Sequence, residues 1–332
     1  MNQIPLDIAF WNYDRVHALR DGTVGIEGVE ARYHTERIVT QIFEGMLRAR
    51  RFDVAELGVT YLLRAIDSGE DLLALPVFLN RCFRHSAIYV NKASGIESPA
   101  DLAGKRIGEL ALYGHDAGVM AKGMLSDEHG FDPAQCRWLI GGIDFPMDPI
   151  DFVERPYPAG IEVEWASKEV DLGQLLEAGE IDALISADIP ACVLRGSPNV
   201  GRLFENFVEM ENDYFARTGI FPIMHTVALR RSLVEEQPEI AKAIYRGFCL
   251  AKDAAREALT KGMTFNNMAT MVPWLTDLMQ SNLKQLGDDW WPYGIEHNRK
   301  ALDAILRYHH EQGLTRRRHT IEDLFVPYLL AT

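Results

Sequence analysis

Apolar and polar positions follow two rhythms along this chain, one of period two and one of helical period, and their alternation sets the predicted architecture. Residues 6–11 and 28–34 read as strands bounded by turn formers. Ile38, Ile42, Phe43, Met46 and Leu47 recur at helical spacing; residues 53–57 return to a strand, 61–66 to a helix and 72–78 to a strand. Strands alternating with helices predict a mainly parallel sheet covered on both faces, with ligands at the carboxyl ends of its strands. After the apolar run 86–90 and the turn Ser98-Pro99-Ala100-Asp101-Leu102, a second series begins with the strand 106–110. It continues with a helix over 117–129, strands near 138–141 and 161–166, a helix near 172–178 and a strand over 181–186.

One more strand, 223–229, precedes a tail that is helical throughout. Ile240, Ile244, Gly247, Phe248, Ala251 and Ala255 share one stripe, and Ala301, Leu302, Ile305 and Leu306 another. With no sheet of its own, the tail is expected to return and cover the first unit. The prediction is therefore α/β and two-lobed: residues 1–90 plus 222–332 form lobe one with its helical C-terminal tail, residues 91–221 form lobe two, and a ligand cleft lies between the lobes.

The 332 residues fit this division, since domains average about 150 residues. A formal charge of −14, from 34 Lys plus Arg against 48 Asp plus Glu, excludes a nucleic-acid partner held by counterion release. The one dense basic run, Arg316-Arg317-Arg318, reads as a solvated helix or loop end. Cys82, Cys136, Cys192 and Cys249 stand more than 50 residues apart, without a C-x-x-C pair, and read as buried thiols of a reducing compartment. The start, Met-Asn-Gln-Ile-Pro-Leu-Asp, has no basic segment followed by an apolar core, and no stretch offers 18 uninterrupted apolar residues. A cytoplasmic protein with no membrane partner is expected.

Chemistry-bearing residues gather at the predicted strand ends. In the segment Phe78-Leu79-Asn80-Arg81-Cys82-Phe83-Arg84-His85-Ser86, two arginines, a histidine and a serine follow a strand. Guanidinium groups match carboxylates with paired donors, so this is a candidate anion site; the alternative is a pair of surface arginines matched to acids. Glu56 interrupts an apolar strand and Asp188 ends another, so each lobe presents one carboxylate suited to proton transfer or to a structural ion pair. Asp116 reads as an N-cap with His115 facing outward, and His225, inside an apolar strand, as a hydrogen-bonded core residue, a general acid or a metal ligand. The aromatic stretch Asp288-Asp289-Trp290-Trp291-Pro292-Tyr293-Gly294 is core, a lid, or a wall for a planar ligand. No nucleotide-binding, zinc-protease or serine-hydrolase motif is present.

Taken together, Asn12-Tyr13-Asp14-Arg15, Ala55-Glu56-Leu57, Phe83-Arg84-His85-Ser86, Phe221-Pro222-Ile223-Met224-His225 and Trp291-Pro292-Tyr293-Gly294-Ile295-Glu296-x-Asn298-Arg299 resemble the 4,5-dihydroxyphthalate decarboxylase family over nearly the whole chain. The segment Tyr113-Gly114-His115-Asp116-Ala117-Gly118 departs from the Tyr-x-x-Thr-Ala pattern of many relatives. The resemblance implies a type II periplasmic-binding-protein-like fold used as a cytoplasmic carboxy-lyase, which converts 4,5-dihydroxyphthalate to protocatechuate and CO2 in phthalate degradation. It implies Glu56, His85, His115 and His225 as the acid–base pool, and Tyr13, Arg15, Arg81, Arg84, Ser86, Asp188 and Tyr293 around the substrate, a small aromatic dicarboxylate.

One ring hydroxyl lies para to the leaving carboxylate. Ionising it pushes electron density onto the carbon that an acid can protonate, so no redox cofactor is required. No metal ligand set stands out, and a divalent metal bridging the catechol oxygens stays open. A homo-oligomer built on the exposed helices of lobe one is expected. The competing readings are a non-catalytic solute-binding protein for an aromatic carboxylate and, less favoured for want of a helix-turn-helix, the effector domain of a transcription regulator.

Overall fold

A computed structural model describes residues 3–148, 150–153, 157–265 and 270–332. In chain order it begins with β1 (Ile4–Ala9), α1 (Asp14–Arg20), β2 (Val29–His34), α2 (Val39–Leu47), β3 (Val54–Gly58), α3 (Val59–Asp67) and β4 (Leu72–Arg81). The middle of the chain forms β5 (Ile88–Asn91), β6 (Arg106–Leu110), α4 (Asp116–His129), β7 (Arg137–Gly141), β8 (Glu162–Trp165), α5 (Leu172–Ala178), β9 (Ala183–Ile185), α6 (Ala191–Leu194), β10 (Val200–Arg202) and α7 (Phe207–Thr218). The last part forms β11 (Ile223–Arg230), α8 (Arg231–Glu236), α9 (Pro238–Phe265), α10 (Leu275–Leu286), α11 (Arg299–Glu311) and α12 (Ile321–Leu324).

The strands build two sheets, ordered β2-β1-β3-β11-β4 and β10-β5-β9-β6-β7-β8. β1 runs parallel to β2 and β3, and β6, β7, β8 and β9 are parallel to their neighbours among themselves, which the long connections between successive strands allow. β11 is antiparallel to both β3 and β4, so its first residues lie beside the carboxyl end of β3. The buried strands read as continuous apolar runs because helices cover both faces: every residue of β3 and of β11 up to Leu229 is buried.

The chain passes from the first sheet to the second between β4 and β5 and returns between α7 and β11. These crossovers are fastened to each other. The Cys82 N–H donates to the Pro222 carbonyl at 3.3 Å, and the rings of Phe83 and Phe221 stack with centroids 4.7 Å apart. His85 sits in the outgoing crossover, buried against the edges of Phe204 and Tyr214.

Four expectations change. The run 86–90, assigned to the first unit, contributes β5 to the second sheet, antiparallel to β9 and β10; periodicity cannot say with which sheet an apolar run pairs. The strand expected to end at residue 78 continues to Arg81. The tail does not cover the first unit alone. α9 lies along α1, whereas α11 lies against α4 of the second half, where the Tyr308 ring packs on Gly123, its hydroxyl donates to Asp127 at 2.5 Å, and Arg307 pairs with the same carboxylate. Finally, all four cysteines are free thiols, but Cys82 is exposed rather than buried.

Gly123 is required by this contact, because a Cβ there would overlap the Tyr308 ring. Gly123→Ala should therefore lower stability by roughly 1–3 kcal/mol, the range for overpacking; an unchanged urea midpoint would contradict the packing. A second expectation concerns acid. Burial holds the His85 imidazole down at about 4, from an ordinary value of 6.5. Between those values the unfolded chain binds a proton that the folded chain refuses, so stability present above pH 6.5 falls as the pH drops toward 4. Urea unfolding across that window should show the slope, and His85→Phe should flatten it.

Candidate active site

The two sheets carry a carboxylate at matching places. β3 reads Val54-Ala55-Glu56-Leu57-Gly58, and β6 with its next residue reads Ile107-Gly108-Glu109-Leu110-Ala111. Both glutamates are fully buried. A carboxylate without water must be paired or hydrogen-bonded, and each is, with a histidine among its partners.

In the first half the partner comes from the sheet register. Val227 lies opposite Glu56 and His225 opposite Gly58, so Glu56 and His225 are diagonal neighbours on one face. Glu56 Oε1 lies 2.7 Å from His225 Nδ1 and accepts from the Tyr13 hydroxyl at 2.7 Å, while Oε2 accepts from the Trp11 N–H at 2.9 Å. The Tyr13 phenol is pushed far above its ordinary value by burial and by the Glu56 charge, so it stays a donor.

In the second half the partner comes from the turn into α4. Ala111, with φ +69°, turns the chain back over the end of β6, a conformation that costs a side-chain-bearing residue roughly 1 kcal/mol or more. Glu109 Oε1 then accepts from the Gly114 N–H at 3.0 Å and lies 3.3 Å from His115 Nδ1. Lys122, two turns along the same face of α4, donates to Oε2 at 2.6 Å and is itself fully buried, its ammonium 3.7 Å from the Tyr113 ring centroid. Burial acts to raise the Glu109 carboxyl, but Lys122 and His115 outweigh it and hold the group below the ordinary carboxylate value. His115 Nε2 is buried and has no hydrogen-bond partner among the described residues.

Asp116 joins the halves. It was expected to cap its own helix with His115 facing outward; instead His115 occupies the cap position, buried, and Asp116 is the first helical residue. Its Oδ1 accepts from the Thr60 N–H at 2.7 Å and so caps α3, whose own cap position is Gly58 and has no side chain to offer. A Cβ on Gly58 would overlap Asp116 Oδ2, so the close approach depends on the glycine. Burial pushes the Asp116 carboxyl up, against the pull of His225 and His115. An ion pair between buried Arg64 and half-buried Asp151 at 2.8 Å also crosses between the halves.

Arg84 is buried with much of its donor capacity unspent: Nε donates to the Cys82 carbonyl at 3.1 Å, and the buried Nη1 has no partner among the described residues. Asp188, exposed on the turn after β9, has its carboxyl raised by partial burial, which His115 and Arg84 oppose.

The remaining predicted residues are placed differently. Arg15 is held between the rings of Tyr13 and Trp291, at 4.1 and 4.5 Å, with Nε and Nη2 donating to the Leu79 carbonyl. Tyr293 is buried, its phenol raised by burial, and its hydroxyl has no partner among the described residues. Arg81 donates to the Pro292 and Phe221 carbonyls and stacks on the Phe221 ring, and burial lowers it to about 9. Ser86 is tied by its backbone to Glu211 and Arg202. Arg81, Ser86 and His85 thus lie in or beside the crossovers, where Arg81 Nε and His85 Nδ1 are buried without hydrogen-bond partners among the described residues.

Sequence reasoning passed over Glu109 and Lys122. The signal for Glu109 was available, since its strand repeats the apolar-small-Glu-Leu-small pattern that marked Glu56. Lys122 had one too: a lysine among Val119, Met120, Ala121 and Met124, on a helix buried nearly all round. Among the described residues no group of three or more His, Cys, Asp or Glu is arranged to hold a metal ion, and no helix is long and apolar enough to cross a membrane.

Comparison with known proteins supports the architecture first. The periplasmic aliphatic sulphonate binding protein SsuA of Escherichia coli superposes over 99% of both chains with a TM-score of 0.57 at 14% identity. The alkanesulfonate-binding protein SsuA of Xanthomonas axonopodis pv. citri, solved with bound MOPS, gives 0.57 at 13% identity over 98% of this chain and 99% of its own. The two sheets therefore form the two-lobed α/β periplasmic-binding-protein fold. No protein-family model matches the chain. A 4,5-dihydroxyphthalate decarboxylase of Pseudomonas putida is 33% identical over 216 residues, 65% of this chain and 83% of the relative. Another, of Comamonas testosteroni, is 34% identical over 328 residues, 98% of each chain. Identity at that level from end to end, on a chain that keeps the same fold throughout, means that this protein belongs to the 4,5-dihydroxyphthalate decarboxylase family.

Proposed function

We propose that this protein decarboxylates 4,5-dihydroxyphthalate to protocatechuate and CO2 without oxidation, in the cleft between the lobes. The observation that carries this reading is the pair of buried carboxylate–imidazole dyads, Glu56–His225 and Glu109–His115, contributed by opposite halves of the molecule. A planar diacid bound between them would meet one imidazole at a ring hydroxyl and the other at the carbon para to it. One takes the phenol proton; the other protonates the carbon that loses CO2.

Arg84, with a buried donor unpaired, suits the carboxylate that stays on the ring. The contacts of Asp116 with Thr60 and of Arg64 with Asp151 hold the halves together and keep water from the reacting atoms. Tyr13, which donates to Glu56, and Arg15, which packs on the Tyr13 ring, suit the substrate side of the first dyad, with Tyr293 beside them, and Asp188, whose carboxyl is under the influence of His115 and Arg84, suits that of the second. Four free thiols suit a cytoplasmic location for this step. Sulphonate capture by proteins of the same fold needs an anion site but no paired acid and base; the dyads favour chemistry over capture alone.

Purified protein incubated with 4,5-dihydroxyphthalate in D2O should release CO2 and protocatechuate carrying deuterium at the vacated carbon, and no turnover of any dihydroxyphthalate would return the reading to a binding protein. Glu56→Gln and His225→Asn should each lower kcat by about 100-fold or more with substrate affinity nearly intact. Arg84→Lys keeps the charge but loses the paired donors, so calorimetry should find substrate bound more weakly by about 1–3 kcal/mol. Unchanged affinity would remove Arg84 from the site.

A further inference from the structure

Glu56 and Glu109 match in position but not in the charge around them. Glu109 is balanced by Lys122 of its own half, at 2.6 Å and with both groups fully buried. Among the described residues the ion-pair contact of Glu56 is His225 alone, and its other donors, the Trp11 N–H and the Tyr13 hydroxyl, are neutral. The contrast extends to everything that faces each imidazole. His115 meets Glu109 with Lys122 behind it, Asp188 with Arg84 beside it, and Asp116 on its own helix. His225 meets Glu56 and Asp116, and no lysine or arginine nitrogen of the described residues is in ion-pair contact with either.

A buried carboxylate is held by a compensating positive charge, by hydrogen-bond donors, or by both. Lys122 supplies the charge in the second half, 2.6 Å from Glu109 Oε2, and His115, on the other carboxylate oxygen, has its Nε2 without a hydrogen-bond partner among the described residues. In the first half the His225 imidazole is the one basic group in ion-pair contact with Glu56 among the described residues.

We propose that Lys122 divides the labour between the two histidines: by balancing Glu109 it keeps His115 a neutral base for the phenol proton, and it leaves His225, held as an imidazolium by Glu56, to protonate the ring. This rests on the decarboxylase reading above. The phenol proton passes to His115 Nε2, and the oxygen electron pair is pushed through the ring to the para carbon, which bonds the proton of His225 Nε2. The bond to the leaving carboxylate then breaks, its electron pair restoring the aromatic ring and the phenolate as CO2 departs. His115 returns its proton to the oxygen and His225 takes one from solvent, so one proton is consumed per CO2. Lys122 touches none of the reacting atoms and is a positioning residue.

The test is 15N NMR of the full chain with labelled histidines at pH 7, the two signals assigned by their loss in His115→Asn and His225→Asn. His115 should be the neutral tautomer with its proton on Nδ1, and His225 the imidazolium; His115 charged or His225 neutral would overturn the proposal. In Lys122→Met, His115 should become charged at pH 7, kcat should fall about 100-fold with KM little changed, and the acid limb of the kcat profile should move up by about one pH unit. The double variant Glu109→Gln with Lys122→Met removes both charges and should restore neutral His115 and the wild-type limb. A Lys122 that acts through packing alone would leave the limb in place and give the double variant no advantage. If Lys122→Met does not fold, the double variant decides, since a charged His115 there refutes the assignment. Absence of CO2 release by the wild-type protein defeats the decarboxylase reading itself, while the histidine signals report on Lys122 independently.

Discussion

A carboxylate taken out of water loses several kcal/mol of solvation, which the surrounding protein must replace with charge or with hydrogen-bond donors. Glu56 and Glu109 are each fully buried within a sheet strand, and much of the local architecture follows from supplying them. The antiparallel insertion of β11 beside β3 brings His225 to Glu56. The positive φ of Ala111 turns the chain so that the Gly114 N–H, His115 and, further along α4, Lys122 all reach Glu109. Replacing either glutamate by an apolar residue would leave a different set of buried groups without partners, which is why these acids are part of the fold as well as of the chemistry.

The same economy governs the contact between the halves. α3 begins directly after β3 with no residue of its own to satisfy its first N–H groups, and α4 provides the missing acceptor through Asp116. The α3 terminus, incomplete alone, is completed when the halves meet, so the closed arrangement is stabilised by backbone satisfaction worth about 1 kcal/mol as well as by the Arg64–Asp151 pair. It is also what sets His115 within the field of Asp116 and His225.

The alternation of strands and helices was legible because burial on both faces and helical amphipathicity leave strong periodic marks. The pairing of β5 was not, since four apolar residues carry no information about which sheet edge receives them. Glu56 was legible as an acid inside an apolar run. His225 was legible only as ambiguous, because its partner lies 169 residues away and is fixed by register rather than by spacing. Arg81 and Arg84 look equivalent in sequence, both following a strand, but the strand's extension to Arg81 turns both terminal nitrogens of that guanidinium toward the Pro292 and Phe221 carbonyls and leaves only its Nε unpaired, whereas Arg84 keeps a terminal nitrogen, Nη1, without a partner among the described residues.

Two crossovers fastened side by side, by Cys82 with Pro222 and by Phe83 with Phe221, bring both passages between the halves into one seam, the arrangement of a hinge. α11 adds a third attachment. It belongs to the tail yet grips α4 through Tyr308 seated on Gly123 and through Arg307 on Asp127, so the halves cannot swing apart without shearing that seat or dragging the tail with them. Stiffness of this kind favours small excursions over wide gaping. Part of the restraint on the halves, beside the Asp116–Thr60 and Arg64–Asp151 contacts, thus comes from a helix that carries none of the chemistry.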